Sequence, residues 1–220
     1  MMTFPFKLKY YILNKYLAAF SGLFLILFLT GHLAGNLQLL IPVESGAQEQ
    51  FNNYAKFMST NPIVKILSIV TYVSILLHVI VTIALTIDSK RKRSIGYKNK
   101  KSPSNSVGSK YMGILGTIIL AFIIIHLSNF WYKAKFEGET DIYSLVVSKF
   151  QNIEHVIIYV LAMLAIFFHV LHGFTSGFQS LGLISSSTRK YFKIVGMVYS
   201  LLIPVLFSII PVYIYFGFHK

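Results

Sequence analysis

Five long apolar runs separated by short polar segments dominate the chain, at about 15–40, 62–88, 110–133, 153–182 and 192–217. Each is long enough to cross a hydrocarbon layer of about 30 Å as a helix. A chain in lipid must satisfy its backbone hydrogen bonds within the spanning segment, so the pattern predicts an all-α integral membrane protein with five transmembrane helices forming one bundle. The fourth run exceeds what a span needs, and its polar end, Thr175, Ser176, Gln179 and Ser180, is expected to emerge from the lipid. The first run follows Lys7, Lys9 and Lys15 much as a signal peptide starts. Its apolar stretch is too long for a signal sequence, however, and it reads as a retained helix. No internal repeat breaks the pattern, which makes residues 1–220 one transmembrane domain.

Charge gives this pattern a direction. The N-terminal segment, the 88–110 segment with its basic loop at about 89–109, and Arg189, Lys190 and Lys193 carry 14 of the 20 basic residues and one acid, Asp88. The other side carries six basic and six acidic residues, so the sided totals are +13 and zero. The positive-inside bias then puts the N-terminus in the cytoplasm, the C-terminus outside, and the 41–61 and 134–152 loops facing outward. The net charge therefore reads as topology, and a nucleic-acid partner is not expected. Composition agrees with the membrane reading: 55% of residues are hydrophobic and 12% charged, about half the charged share of an ordinary globular domain.

The chain has no cysteine, which removes disulfides, cysteine-held iron-sulfur clusters and thiolate-ligated or thioether-attached haem. Histidine remains as the nitrogen ligand. His32, His78, His126 and His169 fall inside the first four runs, one in each. An imidazole in lipid is costly unless its nitrogens are taken up, so each is a functional candidate. At about 1.5 Å rise per residue, His32 and His126 both lie about 11–12 Å below the outer surface, whereas His78 and His169 lie about 24 Å down. Two level pairs on four helices suit two bis-histidine haems b stacked across the bilayer.

His172, one turn beyond His169, is a candidate for a haem propionate, a quinone headgroup or the inner iron itself. His155 beside Glu154 reads as interfacial, and His219 as incidental. Gly31, Ala34 and Gly35 near His32, and Gly173 and Gly177 after His169, offer close backbone approach to a flat group or to a neighbouring helix. No acid lies deep in a span, which argues against an ordinary proton-coupled transporter.

The ordered set of motifs resembles the single-polypeptide dihaem cytochrome b membrane anchor of bacterial succinate:quinone oxidoreductases over nearly the whole chain. The residues that carry this resemblance are Gly31-His32-Leu33 through Asn36, then Phe51-Asn52 with Ala55 and Phe57-Met58, and Leu77-His78. They continue with His126-Leu127 and Phe130-Trp131, Phe168-His169 with Gly173-Phe174, and Gly182 before a Ser/Thr/Arg turn.

The resemblance implies that His32 and His126 bind an outer haem, and His78 and His169 an inner one. It also implies a flavoprotein subunit, an iron-sulfur subunit docked on the cytoplasmic face, and a membrane quinone, with menaquinone expected, in a bacterial cytoplasmic membrane. Electrons would run between the iron-sulfur subunit and the quinone through the inner and then the outer haem, in either direction. Asn36, Gln38 and Tyr54 on the outer side, and His172 and Ser176 on the inner side, are the candidate quinone or propionate contacts. Some members carry a glutamate two residues before the helix-four ligand for transmembrane proton movement. Here that position is Phe167, and that route is not expected. A cytochrome b anchor of another respiratory dehydrogenase and a haem-free transporter stay open as alternatives.

Overall fold

The structure, a computed structural model, describes residues 4–92 and 107–218. Most of the expected basic loop, including Arg93, Lys98, Lys100 and Lys101, and His219 lie outside the described residues. The described chain is all-helical: α1 (Phe4–Asn36), α2 (Ala47–Thr60), α3 (Pro62–Lys92), α4 (Val107–His126), α5 (Tyr132–Phe136), α6 (Ile142–Phe150), α7 (Ile153–Ser180) and α8 (Arg189–Tyr215). A wide π turn, Leu127–Trp131, joins α4 to α5 so that they form one rod.

Five helical segments among the described residues are long and apolar enough to cross a membrane: Lys9–Leu40, Pro62–Arg91, Tyr111–Phe136, Ile153–Ser180 and Arg189–Tyr215. They match the five apolar runs, with shifted ends. The first begins earlier and the last sooner than hydropathy suggests, because helical hydrogen bonding continues through basic and aromatic residues that no longer count as apolar.

Capping sets several boundaries. Asn61 Oδ1 accepts from the backbone N–H groups of Ile63 and Val64 at 2.9 and 3.3 Å, and Pro62 occupies the first turn of α3, where its missing N–H costs nothing. Asn152 Oδ1 accepts from the Glu154 N–H at 2.8 Å to start α7. Within the spans, hydroxyls turn back onto carbonyls one turn earlier, as with Thr71 on Leu67, Thr82 on His78 and Thr117 on Gly113, so they present no unpaired polar group to lipid.

α7 is the central helix, packed on α8, α4 and α1, whereas α3 lies along α1 and touches α4 only lightly. Large apolar side chains on α3, among them Ile63, Ile66, Leu76 and Ile80, face outward from the bundle, as a lipid-facing helix requires.

The segments expected as plain outward loops, 41–61 and 134–152, contain two further helices, α2 and α6. They cap one end of the bundle, called here the upper end. Phe51 on α2 and Tyr143, Val146 and Phe150 on α6 are buried against Leu33 and Leu39 below them and Ile210 and Ile214 of α8. Removing a side chain such as Phe51 from water contributes about 1.5–3 kcal/mol.

A carboxylate locks the two capping helices together. Asp141 caps α6 by accepting from the Ser144 N–H at 3.1 Å, and it also accepts from Asn52 Nδ2 and Gln48 Nε2 of α2, each at 2.8 Å. Asn52 Oδ1 in return accepts from the Tyr143 N–H at 2.9 Å. Partial burial pushes the Asp141 carboxyl up, but the hydrogen bonds from Asn52, Ser144 and Gln48 outweigh it and hold the carboxyl down at about 2.

Candidate functional site

The four intramembrane histidines meet as two pairs, each drawn from two different helices. His32 of α1 and His126 at the end of α4 stand with ring centres 5.8 Å apart and planes at 86°. His78 of α3 and His169 of α7 stand 6.2 Å apart at 73°. The first pair is the upper one. The ring facing His78 belongs to His169, and His172 is half-buried one turn further along α7.

These spacings have a chemical meaning. A metal–imidazole bond of about 2.0 Å plus a ring radius of about 1.1 Å, taken on both sides of one metal, puts the ring centres about 6.2 Å apart. Among the described residues, no group of three or more His, Asp or Glu is placed to hold a metal ion. A bare divalent cation asks for about four protein ligands. Two facing imidazoles suffice only for a metal whose remaining positions are filled by a macrocycle, as in haem.

The second nitrogens bear on the same question. A ligating histidine usually gives its other ring nitrogen to a carbonyl or another acceptor, which fixes the tautomer and leaves the opposite nitrogen free for metal. His78 Nδ1 lies 3.2 Å from the Ala18 carbonyl and 3.2 Å from the Ser21 hydroxyl, both on α1. Gly22 lets α1 close on that ring, since a methyl group there would sit 3.0 Å from the His78 Cε1. His126 Nδ1 lies 3.3 Å from the Tyr159 hydroxyl of α7. His32 is stacked by Phe28 at 5.4 Å, and its Nδ1 lies 3.4 Å from the amide nitrogen of Asn36, which also donates to the His32 carbonyl at 2.8 Å. His169 Nδ1 is buried without a hydrogen-bond partner. The pairing and the spacing fit a metal shared by the two rings at each level. His78 and His126 have the oxygen at Nδ1 that such a ligand uses, whereas at His32 the neighbour is an amide donor and at His169 there is none among the described residues.

Beside the upper pair a cavity of about 300 Å³ runs from His32 and His126 to the capping helices. Asn36 and Tyr54 supply polar groups to a wall otherwise made of side chains such as Phe51, Met58 and Phe207. Burial raises the Tyr54 phenol above its ordinary value, so at neutral pH it is a proton donor. Gln38 turns away and donates to the Gly35 carbonyl at 3.2 Å. At the lower end Ser176 is exposed, and neither it nor His172 is joined to the lower pair by a ring contact or hydrogen bond among the described residues. His155 is half-buried with an unpartnered Nδ1 at the upper start of α7.

The glycines near the ligands divide. Gly35 lies under Tyr54 and Gly177 against Leu23, while Gly31 and Gly173 face open space.

The aromatic surround of the upper pair was not visible in the sequence. Tyr159 is buried among Phe122, Phe150 and Phe130, with ring centres 4.9, 4.9 and 6.1 Å away. Phe130 also contacts His126 at 5.4 Å from within the π turn. Such turns recur at functional sites, but no spacing of residue types announces one.

No family model, curated protein or solved structure matches this chain.

Proposed function

We propose that this chain is the dihaem cytochrome b membrane anchor of a succinate:quinone oxidoreductase or quinol:fumarate reductase, carrying electrons between an iron-sulfur subunit and a membrane quinone. The observation that carries the haem assignment is the pairing of four intramembrane histidines from four helices into two sets, each spaced for one metal. The identity of the complex rests on the order of motifs along the chain, with a flavoprotein and an iron-sulfur subunit as partners.

His32 and His126 hold the outer haem, and His78 and His169 the inner one. When bound, the haems supply one-electron carriers at two depths of a bacterial cytoplasmic membrane. The protein's own part is to fix the ligand rings, exclude water and bind the quinone. The N-terminus and the basic segments lie on the cytoplasmic side, where the iron-sulfur subunit docks, and the upper end with α2 and α6 faces outward. Asn36 and the protonated Tyr54, lining the cavity beside the upper pair, are suited to donate hydrogen bonds to a quinone carbonyl, with menaquinone as the expected quinone. Succinate or fumarate chemistry belongs to the flavoprotein partner.

The test is the purified chain itself. Low-spin b-type absorption with two haems per polypeptide by pyridine haemochrome is expected, and a colourless protein ends the haem reading. Co-purification with a subunit bearing covalent flavin separates this complex from other respiratory dehydrogenases that use cytochrome b anchors.

A further inference from the structure

α1 and α7 each serve both levels of the bundle. α1 carries the upper ligand candidate His32 and, ten residues earlier, presses Gly22 against His78 of the lower pair, with Ser21 and the Ala18 carbonyl on its Nδ1. α7 carries the lower ligand candidate His169 and, ten residues earlier, brings Tyr159 to Nδ1 of His126 in the upper pair. Ten residues of helix span about 15 Å, close to the separation of the two levels. Each of these helices thus supplies a histidine at one level and an orienting oxygen at the other.

Tyr159 is an expensive residue for a purely structural role. Its ring is enclosed by Phe122, Phe130 and Phe150, a setting that phenylalanine would fill without burying a hydroxyl. That hydroxyl meets His126 Nδ1 at 3.3 Å. Asn129, in the π turn directly after His126, lies beside the same phenol with its amide nitrogen buried. The polar atoms inside this aromatic shell therefore gather around one ring nitrogen of His126.

Resting on the haem reading above, the geometry points to Tyr159 as a positioning residue for His126. Its phenol oxygen accepts from Nδ1–H, fixing the tautomer that leaves Nε2 free for iron and raising the basicity of that ligand. Ser21 and the Ala18 carbonyl do the same for His78. Greater ligand basicity favours ferric over ferrous iron, so each bond lowers the midpoint potential of one haem and not the other.

The experiment uses the full-length chain purified from membranes, with redox-titrated visible spectra and low-temperature electron paramagnetic resonance. In Tyr159→Phe, both haems are retained. One midpoint moves upward with a changed g-max for that haem, and the other stays at its wild-type value. Ser21→Ala leaves the Ala18 carbonyl in place and gives a smaller shift, on the other haem. Phe150→Leu alters the packing on the Tyr159 ring from α6, away from His126 and without touching the hydrogen bond, and it leaves both midpoints in place.

If Tyr159→Phe titrates like wild type, or if Phe150→Leu shifts the same haem equally, Tyr159 does not position the ligand. If Tyr159→Phe loses one haem, the proposal stands when Phe150→Leu keeps both and falls when Phe150→Leu loses it too. Absence of haem from the wild-type chain is a separate result: it removes the haem reading before any variant is compared.

Discussion

His78 and His169 face each other across the lower half of the bundle, 6.2 Å between ring centres, although one belongs to α3, which packs along α1, and the other to the central α7. The ring that faces His78 is that of His169 and not of its neighbour His172. With His169 as the ligand, His169→Ala is expected to halve the haem content of the purified chain, and His172→Ala to leave it at the wild-type level. Pyridine haemochrome on the two variants decides it. Equal haem content in His169→Ala and wild type would remove His169 from the site.

The five long apolar helices and the partnering of His32 with His126 and of His78 with His169 were readable in advance, the first from hydropathy over about 20 residues and the second from rise per residue. The capping helices were not. α2 is polar overall, so hydropathy over a span-length window passes over it, although Phe51, Tyr54, Ala55 and Met58 recur at helical spacing along one face. Asp141, Asn52 and Gln48 lie far apart in sequence, and only the docking of α6 on α2 makes them partners. Tyr159 was hidden for the opposite reason. In an apolar run an aromatic residue reads as lipid-facing or core, and its bond to His126 depends on how α4 and α7 are rotated against each other.

The Asp141 lock makes the upper cap sensitive to acid. A carboxyl held at about 2 in the folded cap, against about 3.9 when released, stabilises the cap fully above the higher value. That contribution is lost as pH falls through the interval towards the lower one. Protection from hydrogen exchange, relative to the intrinsic rate at each pH, should therefore fall across 47–60 and 142–150 between about pH 4 and pH 2. Asp141→Ala should show faster exchange already at neutral pH, with a local cost of about 1 kcal/mol for the lost cap. The variant should also lose most of the acid dependence, and an unchanged profile would mean that Asp141 does not hold the cap.

Tyr199 ties α8 to α1. Its hydroxyl donates to the Ile26 carbonyl and lies 3.0 Å from the Thr30 hydroxyl, while its ring packs 5.8 Å from Phe174. Tyr199→Phe keeps the ring contact and removes the bond, for an expected loss of about 1 kcal/mol. A lowered thermal midpoint in detergent, with the visible spectrum unchanged, is the expected result. A shift of the haem bands would instead show that the bond reaches the site.

Gly35 and Tyr54 make the tightest approach at the upper cavity. Gly35 is buried in the last turn of α1, and a methyl group there would overlap the Tyr54 hydroxyl and press on its ring. Gly35→Ala must drive Tyr54 out of its place on the cavity wall, at an expected cost of about 1–3 kcal/mol in stability. Tyr54→Ala vacates the space that the methyl group needs. The double variant should therefore be less destabilised than the sum of the two single changes, by at least about 0.5 kcal/mol. Additive losses in detergent melts would show that Tyr54 does not lie against Gly35. If the cavity takes the quinone, Gly35→Ala should raise KM for quinone more than it lowers kcat, because the displaced phenol contributes to binding and no reacting atom is lost.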